Sequence, residues 1–238
     1  MLSIDRRPFE SFVFDAYGTL FDVYGVTTLC EELFPGQGRA LATLWRAKQL
    51  NYSLLRSLME QYRDFWQLTQ DALAYATASL NLELTRERRN CLMEAYLTLP
   101  SFPDARVSLE QLKARGMRLA ILSNGAPTML AAAVRRADLG HLLDAVLSVD
   151  DVRVFKPSPR VYALIQSRLG VLPASTAFVS ANSWDINGAG AAGLTTCWIQ
   201  RSAAEPADEL GYPATYVVHS LTELTGLLGD QDLPPRRG

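Results

Sequence analysis

The sequence is poor in the residues on which histidine and cysteine sites depend. Its 238 residues include only two histidines, His141 and His219, so a histidine nucleophile or a histidine-rich metal site is poorly supported. The three cysteines (Cys30, Cys91 and Cys197) are scattered and odd in number. Such a set favours reduced thiols in the cytoplasm over a disulfide framework or a metal cluster. We therefore expect a cytoplasmic localisation.

Two further absences exclude whole classes of partner. No apolar run is long enough to cross a bilayer, and the first residues lack the apolar segment of a secretory leader, so no membrane partner is expected. The net charge is only −2 and no stretch carries a dense run of Lys or Arg, which argues against nucleic acid. What the chain does have is 48% hydrophobic residues, enough to bury a full core.

Short apolar runs alternate with helical stretches along most of the chain. This pattern covers residues 11–22 and everything from about residue 102 onward. Beyond the first strand, the predicted strands are residues 117–122, 145–149, 176–180, 195–199 and 215–218. Strands that alternate with helices pair in parallel, so the sequence predicts an α/β fold with a doubly wound, Rossmann-like parallel sheet.

The segment between the first strand and residue 100 differs, because its pattern is entirely helical. Leu55, Leu58, Met59, Tyr62 and Trp66 have the spacing of one apolar helix face. Residues 71–80 and 86–99 add further helices. We therefore predict a core domain of residues 1–22 and 100–238, with a helical cap domain of residues 23–99 inserted after the first strand.

Polar side chains follow the predicted strands at their carboxyl ends, where open α/β sheets bind ligands. They are Asp15 after the first strand, Ser123 and Asn124 after the second, Lys156 after the third, and Ser180, Asn182 and Asp185 after the fourth. Each alone is a weak signal, because Asp, Ser and Asn are common in turns and caps. Together, in this order on one α/β pattern, they predict an active site.

The stretch Asp15-Ala16-Tyr17-Gly18-Thr19 resembles the first motif of the haloacid dehalogenase superfamily. The resemblance implies that the leading aspartate is a covalent nucleophile. Most members of that superfamily hydrolyse phosphate esters and carry a second aspartate two residues on, as general acid and base. Here that position is Tyr17, whose phenol has an ordinary pKa of about 10 and cannot replace a carboxylate base at neutral pH.

The fourth superfamily motif departs in the same direction. The metal-dependent phosphatases commonly have Gly-Asp-Ser-x-x-Asp, whereas residues 180–185 are Ser-Ala-Asn-Ser-Trp-Asp, with Ala181 in place of a magnesium-binding aspartate. Mg²⁺ is usually bound by one or two carboxylates together with substrate phosphate. The two losses argue against a phosphatase, and we expect neither a metal nor another cofactor.

Displacement of halide from carbon needs neither missing group, because halide leaves as a stable anion. Asp15 can attack the carbon and form an ester, which water then hydrolyses. Asp185 is the best candidate for the base that activates this water. Lys156 would keep both carboxylates ionised through its opposite charge.

The resemblance narrows to the L-2-haloacid dehalogenases over residues 15–22, 44–50, 56–59, 122–125, 154–157 and 178–182. It implies that Asp15 is the nucleophile, supported by Thr19 and Lys156. The implied pocket walls are Tyr17, Leu50, Phe65, Lys156, Asn182 and Trp184. The implied partners of the substrate carboxylate are Ser123, Asn124 and the backbone amides near Ala16 and Tyr17. The residues implied to position and activate water are Ser180, Asn182 and Asp185, with Tyr162 as a supporting hydroxyl. The halide is expected on Arg46 and Asn182, and the resemblance further implies a homodimer formed through cap helices.

Without the resemblance, Arg46 would be interpreted first as an ordinary surface arginine; with it, a catalytic role is favoured, and a physical argument supports that role. On a helix Arg46 shares a face with Leu50, one turn on, so a cation and an apolar contact would enter the site together. An arginine over the leaving group can take up the charge of the departing halide. The family usually has glutamine at the next position, where this chain has Ala47, and we expect the smaller residue to widen the site.

The sequence therefore predicts hydrolysis of short L-2-haloalkanoic acids to D-2-hydroxyalkanoic acids, with inversion and without metal. The expected partners are the haloacid substrate and the released halide. A magnesium-dependent small-molecule phosphatase of the same superfamily is one alternative, and a catalytically silent binding protein is the other. The silent protein is disfavoured, because it would not need the charged cluster of Asp15, Lys156 and Asp185.

Overall fold

The computed structural model describes residues 9–204 and 206–228. At its centre is a sheet of six parallel strands in the order β3-β2-β1-β4-β5-β6. The strands are β1 (Ser11–Phe14), β2 (Arg118–Ser123), β3 (Ala145–Ser148), β4 (Thr176–Ser180), β5 (Thr195–Ile199) and β6 (Tyr216–Val218). The predicted doubly wound parallel sheet is confirmed, and the five later strands begin and end within one residue of the predicted bounds.

The strand order explains where a site can form. Strands β1 and β4 lie side by side, with Phe14 paired to Val179. Strands β2 and β3 come between them in the chain but lie on the other side of β1 in the sheet. The winding of the sheet reverses at this point, and such a reversal opens a crevice at the carboxyl ends of the two strands. Both strands are buried along their whole length, as expected for parallel strands covered on both faces.

Helices flank this sheet and also fill the segment after β1. The α-helices of the described residues are α1 (Thr27–Leu33), α2 (Gly38–Leu58), α3 (Phe65–Ser79), α4 (Arg86–Leu97), α5 (Pro103–Ala114), α6 (Pro127–Arg136), α7 (Pro159–Leu169) and α8 (Ser183–Ala191). The first four lie between β1 and α5, where the sequence predicts helices. In residues 9–204 and 206–228, no helix combines the length and the apolar character needed to span a bilayer. The domain boundaries stay a prediction, and residues 1–8 and 229–238 of the predicted core lie outside the described residues.

The prediction of one apolar helix face across residues 55–66 is wrong. Helix α2 ends at Leu58, and Tyr62 lies in the turn before α3. Asp64 starts the new helix, because its carboxylate accepts a hydrogen bond from a backbone N–H of the first turn of α3 at 2.8 Å. Leu58 is 73% exposed and Met59 is 55% exposed, so this end of the apolar row faces solvent instead of the core. The apolar residues on the two sides of the turn keep helical spacing by coincidence, although they belong to two separate helices.

Candidate active site

Asp15 follows β1 directly and is held on both carboxylate oxygens. Its backbone N–H donates to the carbonyl of Val179 on the neighbouring strand at 2.9 Å. One carboxylate oxygen accepts hydrogen bonds from the Thr19 hydroxyl (3.2 Å) and the Asn182 amide (2.9 Å), and the other accepts from the Lys156 ammonium (3.0 Å). Charge-assisted hydrogen bonds of this kind fix orientation, so the carboxylate is set in one position inside the crevice.

Lys156 joins the two carboxylates of the site. Its Nζ lies 3.0 Å from Asp15 and 2.8 Å from Asp185, and its side chain is fully buried. Burial alone lowers the pKa of Lys156, but the negative charges of the two carboxylates outweigh that effect and the pKa is raised. The Lys156 backbone is fixed as well, since its N–H donates to the side-chain oxygen of Asn124 at 2.9 Å. The ammonium is therefore a fixed counter-charge between two carboxylates.

Asp185 lies in the first turn of α8 and is completely buried. The Tyr162 hydroxyl donates to one of its oxygens at 2.6 Å, and Lys156 donates to the other. Burial raises the pKa of Asp185, although the Lys156 ammonium and the Tyr162 hydrogen bond oppose the shift. A raised pKa makes this carboxylate a stronger base than an ordinary aspartate, so it is suited to take a proton from water.

Two hydroxyls fix the loops that carry these groups. The Thr19 hydroxyl donates to Asp15 and accepts from the backbone N–H of Ala181 at 2.8 Å, because a hydroxyl has one proton and two lone pairs. The Ser180 hydroxyl accepts from the backbone N–H of Asn182 at 3.1 Å. The Thr19 contact holds the turn after β4 against the turn after β1, whereas the Ser180 contact lies within the turn after β4. Ser180 thus fixes the backbone that presents Asn182 to the nucleophile.

Tyr17 is buried beside the nucleophile, and its hydroxyl has no hydrogen-bond partner. Its ring stacks on Phe65 with centroids 6.4 Å apart, and a Cβ at Gly125 would lie only 2.7 Å from that ring. Burial raises the pKa of Tyr17 above its already high ordinary value, so the phenol is no base near neutrality. Over the described part of the chain, no group of three or more His, Cys, Asp and Glu side chains is arranged to hold a metal ion.

A cavity of about 590 Å³ opens between α2 and the carboxyl ends of the strands. Arg46 and Leu50 line it from α2, and Asn182 and Trp184 line it from the start of α8. The Arg46 guanidinium donates to the backbone carbonyl of Tyr17 at 3.3 Å. Because Asn182 also donates to the nucleophile, the cavity adjoins the Asp15 carboxylate. The space between that carboxylate and Arg46 suits a small organic anion with an electronegative leaving group.

Asn124, whose side chain is hydrogen-bonded to the Lys156 backbone, carries an unused donor. Its side-chain oxygen accepts from the Lys156 backbone, but its Nδ2 is buried without a partner. A buried donor without a partner costs about 1–3 kcal/mol, so an acceptor such as a substrate carboxylate would be bound favourably there. The neighbouring Ser123 hydroxyl accepts from the backbone N–H of Gly125 at 3.1 Å and so shapes the turn that carries this amide.

Some predicted residues support the cavity without lining it. Phe65 packs behind the Tyr17 ring, while Tyr162 and Ser180 act on Asp185 and Asn182. The expectation for Ala47 is corrected, because this residue is exposed on α2 and is absent from the cavity lining. A side chain that points to solvent cannot widen the site, whatever its size.

Arg201 is a cavity residue that sequence reasoning missed. It forms a bidentate ion pair with Asp104 (3.1 and 3.2 Å), donates to the Thr19 carbonyl at 3.0 Å and lies 3.7 Å over the Phe102 ring. It follows β5 at the carboxyl end, so the rule that located the nucleophile would also have located this arginine. Asp208, which lines the cavity from the loop before β6, has no comparable sequence signal.

Comparison with known proteins gives one consistent result. The family model of haloacid dehalogenase-like hydrolases matches residues 9–193. The chain is 45% identical over 218 residues to an (S)-2-haloacid dehalogenase from Pseudomonas sp. (strain YL), covering 92% of this chain and 94% of that protein. It is also 45% identical over 216 residues to (S)-2-haloacid dehalogenase 4A from Burkholderia cepacia, covering 91% and 93%. A solved structure of L-2-haloacid dehalogenase from Xanthobacter autotrophicus, with chloropropionic acid covalently bound, matches with a TM-score of 0.88 at 39% identity, covering 94% and 99%.

Proposed function

This chain belongs to the haloacid dehalogenase-like hydrolases, and we propose that it hydrolyses short-chain L-2-haloalkanoic acids to D-2-hydroxyalkanoic acids with inversion. It is an (S)-2-haloacid dehalogenase, a hydrolase that acts on carbon–halide bonds. The observation that carries this conclusion is the Asp15 carboxylate, which lies beside a cavity and accepts hydrogen bonds on both oxygens. Two residues on, Tyr17 stands where a phosphatase has its second acid. The relatives of the same activity, and the one that holds chloropropionic acid covalently, support the same reaction.

In the first step, an oxygen of Asp15 attacks C2 of the substrate from the side opposite the halogen. The new C–O bond forms as the carbon–halogen bond breaks, and the halide leaves with the bonding electron pair, which inverts the stereocentre. Arg46 and Asn182 line the cavity on the side where that negative charge develops, and both donate hydrogen bonds. Donors already in position stabilise a developing anion without further reorganisation.

In the second step, water hydrolyses the ester at the Asp15 carbonyl carbon. Asp185 takes a proton from the water, and hydroxide adds to that carbonyl while the Lys156 ammonium faces the developing oxyanion. The acyl C–O bond then breaks and the leaving alkoxide takes up a proton, so the C2–O bond made in the first step survives into the product. The Asp15 carboxylate is regenerated, and one proton is released to solvent for each halide.

The substrate carboxylate is proposed to bind where donors are unused. The buried Nδ2 of Asn124 is such a donor, and we propose that Ser123 and the backbone amides near Ala16 and Tyr17 complete the set. Leu50 and Trp184, which line the cavity, then cover the alkyl chain. The Tyr17 ring, stacked on Phe65, is proposed to contact the substrate beside the nucleophile, although it is not among the residues that line the cavity. This arrangement favours a short substrate that carries its halogen next to the carboxylate.

We further propose that residues 23–99 act as a cap over this site, and that the enzyme is a homodimer formed through the cap. Leu54, Leu55, Leu58 and Met59 support the dimer, because they form an exposed apolar row at the end of α2. Contiguous exposed apolar groups of this kind are typical of protein–protein contacts. Sedimentation of the wild-type protein and of Leu58→Asp tests the dimer.

We also propose a cytoplasmic location, which the three free cysteines support.

Chloride release from both enantiomers of 2-chloropropionate, with and without EDTA, tests the function. We expect release from the L enantiomer alone and no effect of EDTA. A single turnover in ¹⁸O-water should place unlabelled oxygen in the product and the label in Asp15. Asp15→Asn should abolish turnover, whereas Asp138→Asn should not, because Asp138 is exposed and has a φ of 52° that asparagine also adopts.

Other outcomes would favour the alternatives. Labelled product in the first turnover would mean direct attack by water. EDTA-sensitive cleavage of p-nitrophenyl phosphate without chloride release would identify a phosphatase. Binding of 2-chloropropionate without any halide release would identify a silent member of the superfamily.

A further inference from the structure

Lys156 lies in the loop of residues 152–158, between β3 and α7. A loop has no ladder of backbone hydrogen bonds, so each buried N–H needs a partner from elsewhere. The Lys156 N–H donates to the side-chain oxygen of Asn124 at 2.9 Å, and the Phe155 N–H donates to the Ser57 hydroxyl at 3.1 Å. Two consecutive amides are thus held from two directions, one by the turn after β2 and the other by helix α2.

Ser57 is a fixed acceptor in this arrangement. It is the last residue but one of α2, and its hydroxyl donates to the carbonyl of Ser53 in the same helix at 2.9 Å. A hydroxyl has one proton, so only its lone pairs are left to face the Phe155 N–H. The backbone of α2 therefore determines that Ser57 accepts a hydrogen bond from the loop.

The turn after α2 packs on the same loop. The centroid of the Tyr62 ring lies 5.0 Å from that of the Phe155 ring, and the Tyr62 hydroxyl donates to the Asp150 carboxylate. Phe155 is buried, and its ring is also 6.2 Å from the ring of Phe65, which stacks on Tyr17 beside the nucleophile. A row of four aromatic rings therefore runs from the partly exposed Tyr62 to the active site.

We propose that Ser57 is a positioning residue, which places the Lys156 ammonium between the two carboxylates by holding the Phe155 backbone. Tyr62 supports it by anchoring the turn after α2 on the same loop. This role rests on the proposed function, because it is defined by the hydrolysis of the Asp15 ester. Ser57 does not line the cavity beside the nucleophile and acts through its neighbours in the loop.

The two steps of the reaction depend on this ammonium to different degrees. If the ammonium moves, Asp15 keeps two other donors, the Thr19 hydroxyl and the Asn182 amide. Asp185 keeps the neutral Tyr162 hydroxyl but loses a positive charge 2.8 Å away. The developing oxyanion of the second step loses the same charge. We therefore expect ester hydrolysis to be affected more than attack on C2.

The test is Ser57→Ala, with the two steps measured separately. A quenched-flow single turnover of L-2-chloropropionate gives the rate of chloride release, and mass spectrometry of the quenched protein follows the build-up and decay of the ester on Asp15. We expect ester decay to slow by about tenfold, which is the effect of losing about one net hydrogen bond from the transition state. Chloride release should stay within about threefold of wild type.

The pH dependence of ester decay gives a second readout. Asp185 faces Asp15, Lys156 and Tyr162; burial raises its pKa, and the Lys156 charge opposes that rise. Because Asp185 must be ionised to take a proton from water, moving the ammonium away should shift the acid limb of the profile to higher pH. A loss of packing alone would lower the rate at every pH and leave the limb in place.

Three further variants complete the experiment. Ser57→Thr keeps the hydroxyl, which in a helix can still donate to the carbonyl of the preceding turn, so it should restore both readouts. Ser167→Ala is the matched control, because Ser167 is exposed on α7 and its hydroxyl donates to a carbonyl of its own helix. Tyr62→Phe keeps the ring and removes the bond to Asp150, so it should slow ester decay in the same direction as Ser57→Ala. Thermal unfolding identifies which variants are folded.

The outcomes separate this role from the proposed function. If the wild-type protein releases no chloride from L-2-chloropropionate, the proposed function fails. If the wild-type protein turns over, and ester decay in Ser57→Ala keeps the wild-type rate and acid limb, the role of Ser57 is overturned. Where Ser57→Ala does not fold, Tyr62→Phe decides in the same way. Equal slowing of both steps, or slower ester decay with an unshifted acid limb, would overturn the role too.

Discussion

Lys156→Met should destabilise the protein strongly, because it removes the charge that balances two buried carboxylates. At an effective dielectric constant of about 20, unit charges at the 3.0 and 2.8 Å separations of its two ion pairs attract by about 5 to 6 kcal/mol each. The cost of taking the ammonium out of water offsets part of that attraction. Removing one partner of a buried pair leaves an uncompensated charge and typically costs about 3–5 kcal/mol. We expect the free energy of unfolding near neutral pH to fall by that amount.

The loss should also depend on pH in a defined direction. Burial already raises the pKa of Asp185, and without Lys156 that pKa rises further. A group whose pKa is higher in the native than in the unfolded protein contributes stability at low pH, and this is lost as the pH rises through the native value. The variant should therefore recover stability relative to wild type between neutrality and about pH 5. Urea unfolding at both pH values, followed by tryptophan fluorescence, measures this difference.

Lys48→Met is the matched control for this experiment. Lys48 is partly exposed on α2 and lies 4.1 Å over the Tyr75 ring, so its loss should cost at most about 1 kcal/mol at either pH. A cost below about 1 kcal/mol for Lys156→Met, the value typical of an exposed pair, would refute the reasoning. A larger cost that is identical at both pH values would show that lost packing, and not the unbalanced charge, is responsible.

The remaining predictions concern other parts of the molecule. Thr19→Val keeps the shape and removes the hydroxyl that joins the nucleophile to the turn after β4, so unfolding free energy should fall by about 1–3 kcal/mol and chloride release should slow. Ala47→Gln should leave the rates for 2-chloropropionate, 2-chlorobutyrate and longer acids in the same proportion, because Ala47 is exposed. A change in the relative rates with chain length would contradict this prediction. Iodoacetamide should label Cys91 alone in the native protein, as measured by mass spectrometry. Burial raises the pKa of Cys30 to about 11 and that of Cys197 to about 12, which keeps both as thiols.

The sheet and the charged cluster could be predicted because their signals are local. A run such as residues 176–180 is short, apolar and bounded by polar residues, so it predicts a strand without knowledge of its neighbours. Asp15, Lys156 and Asp185 each follow a strand, and parallel strands in a doubly wound sheet bring their carboxyl ends together. Topology alone therefore predicts that these three side chains meet.

The break between α2 and α3 illustrates why periodicity was not enough. A turn can return the chain in the same helical phase, so the spacing of Leu55, Leu58 and Tyr62 is the same with or without an interruption. The decisive signal is Asp64, a short acidic side chain that caps the next helix. A capping residue marks the start of a new helix, so it distinguishes two separate helices from one continuous helix where periodicity does not.

The buried hydrogen bonds that Gln49 makes lie beyond sequence prediction for a different reason. Trp45 and Gln49 are one helical turn apart on the inner face of α2, while Arg46 faces the cavity beside them. A glutamine at an inner position is a usable signal, because buried amides almost always find partners on a neighbouring element. The partner, however, is Tyr96, 47 residues away on another helix, and many hydroxyls in residues 65–97 could have served. The requirement for a partner comes from the chemistry of the glutamine, whereas its identity depends on how three helices pack.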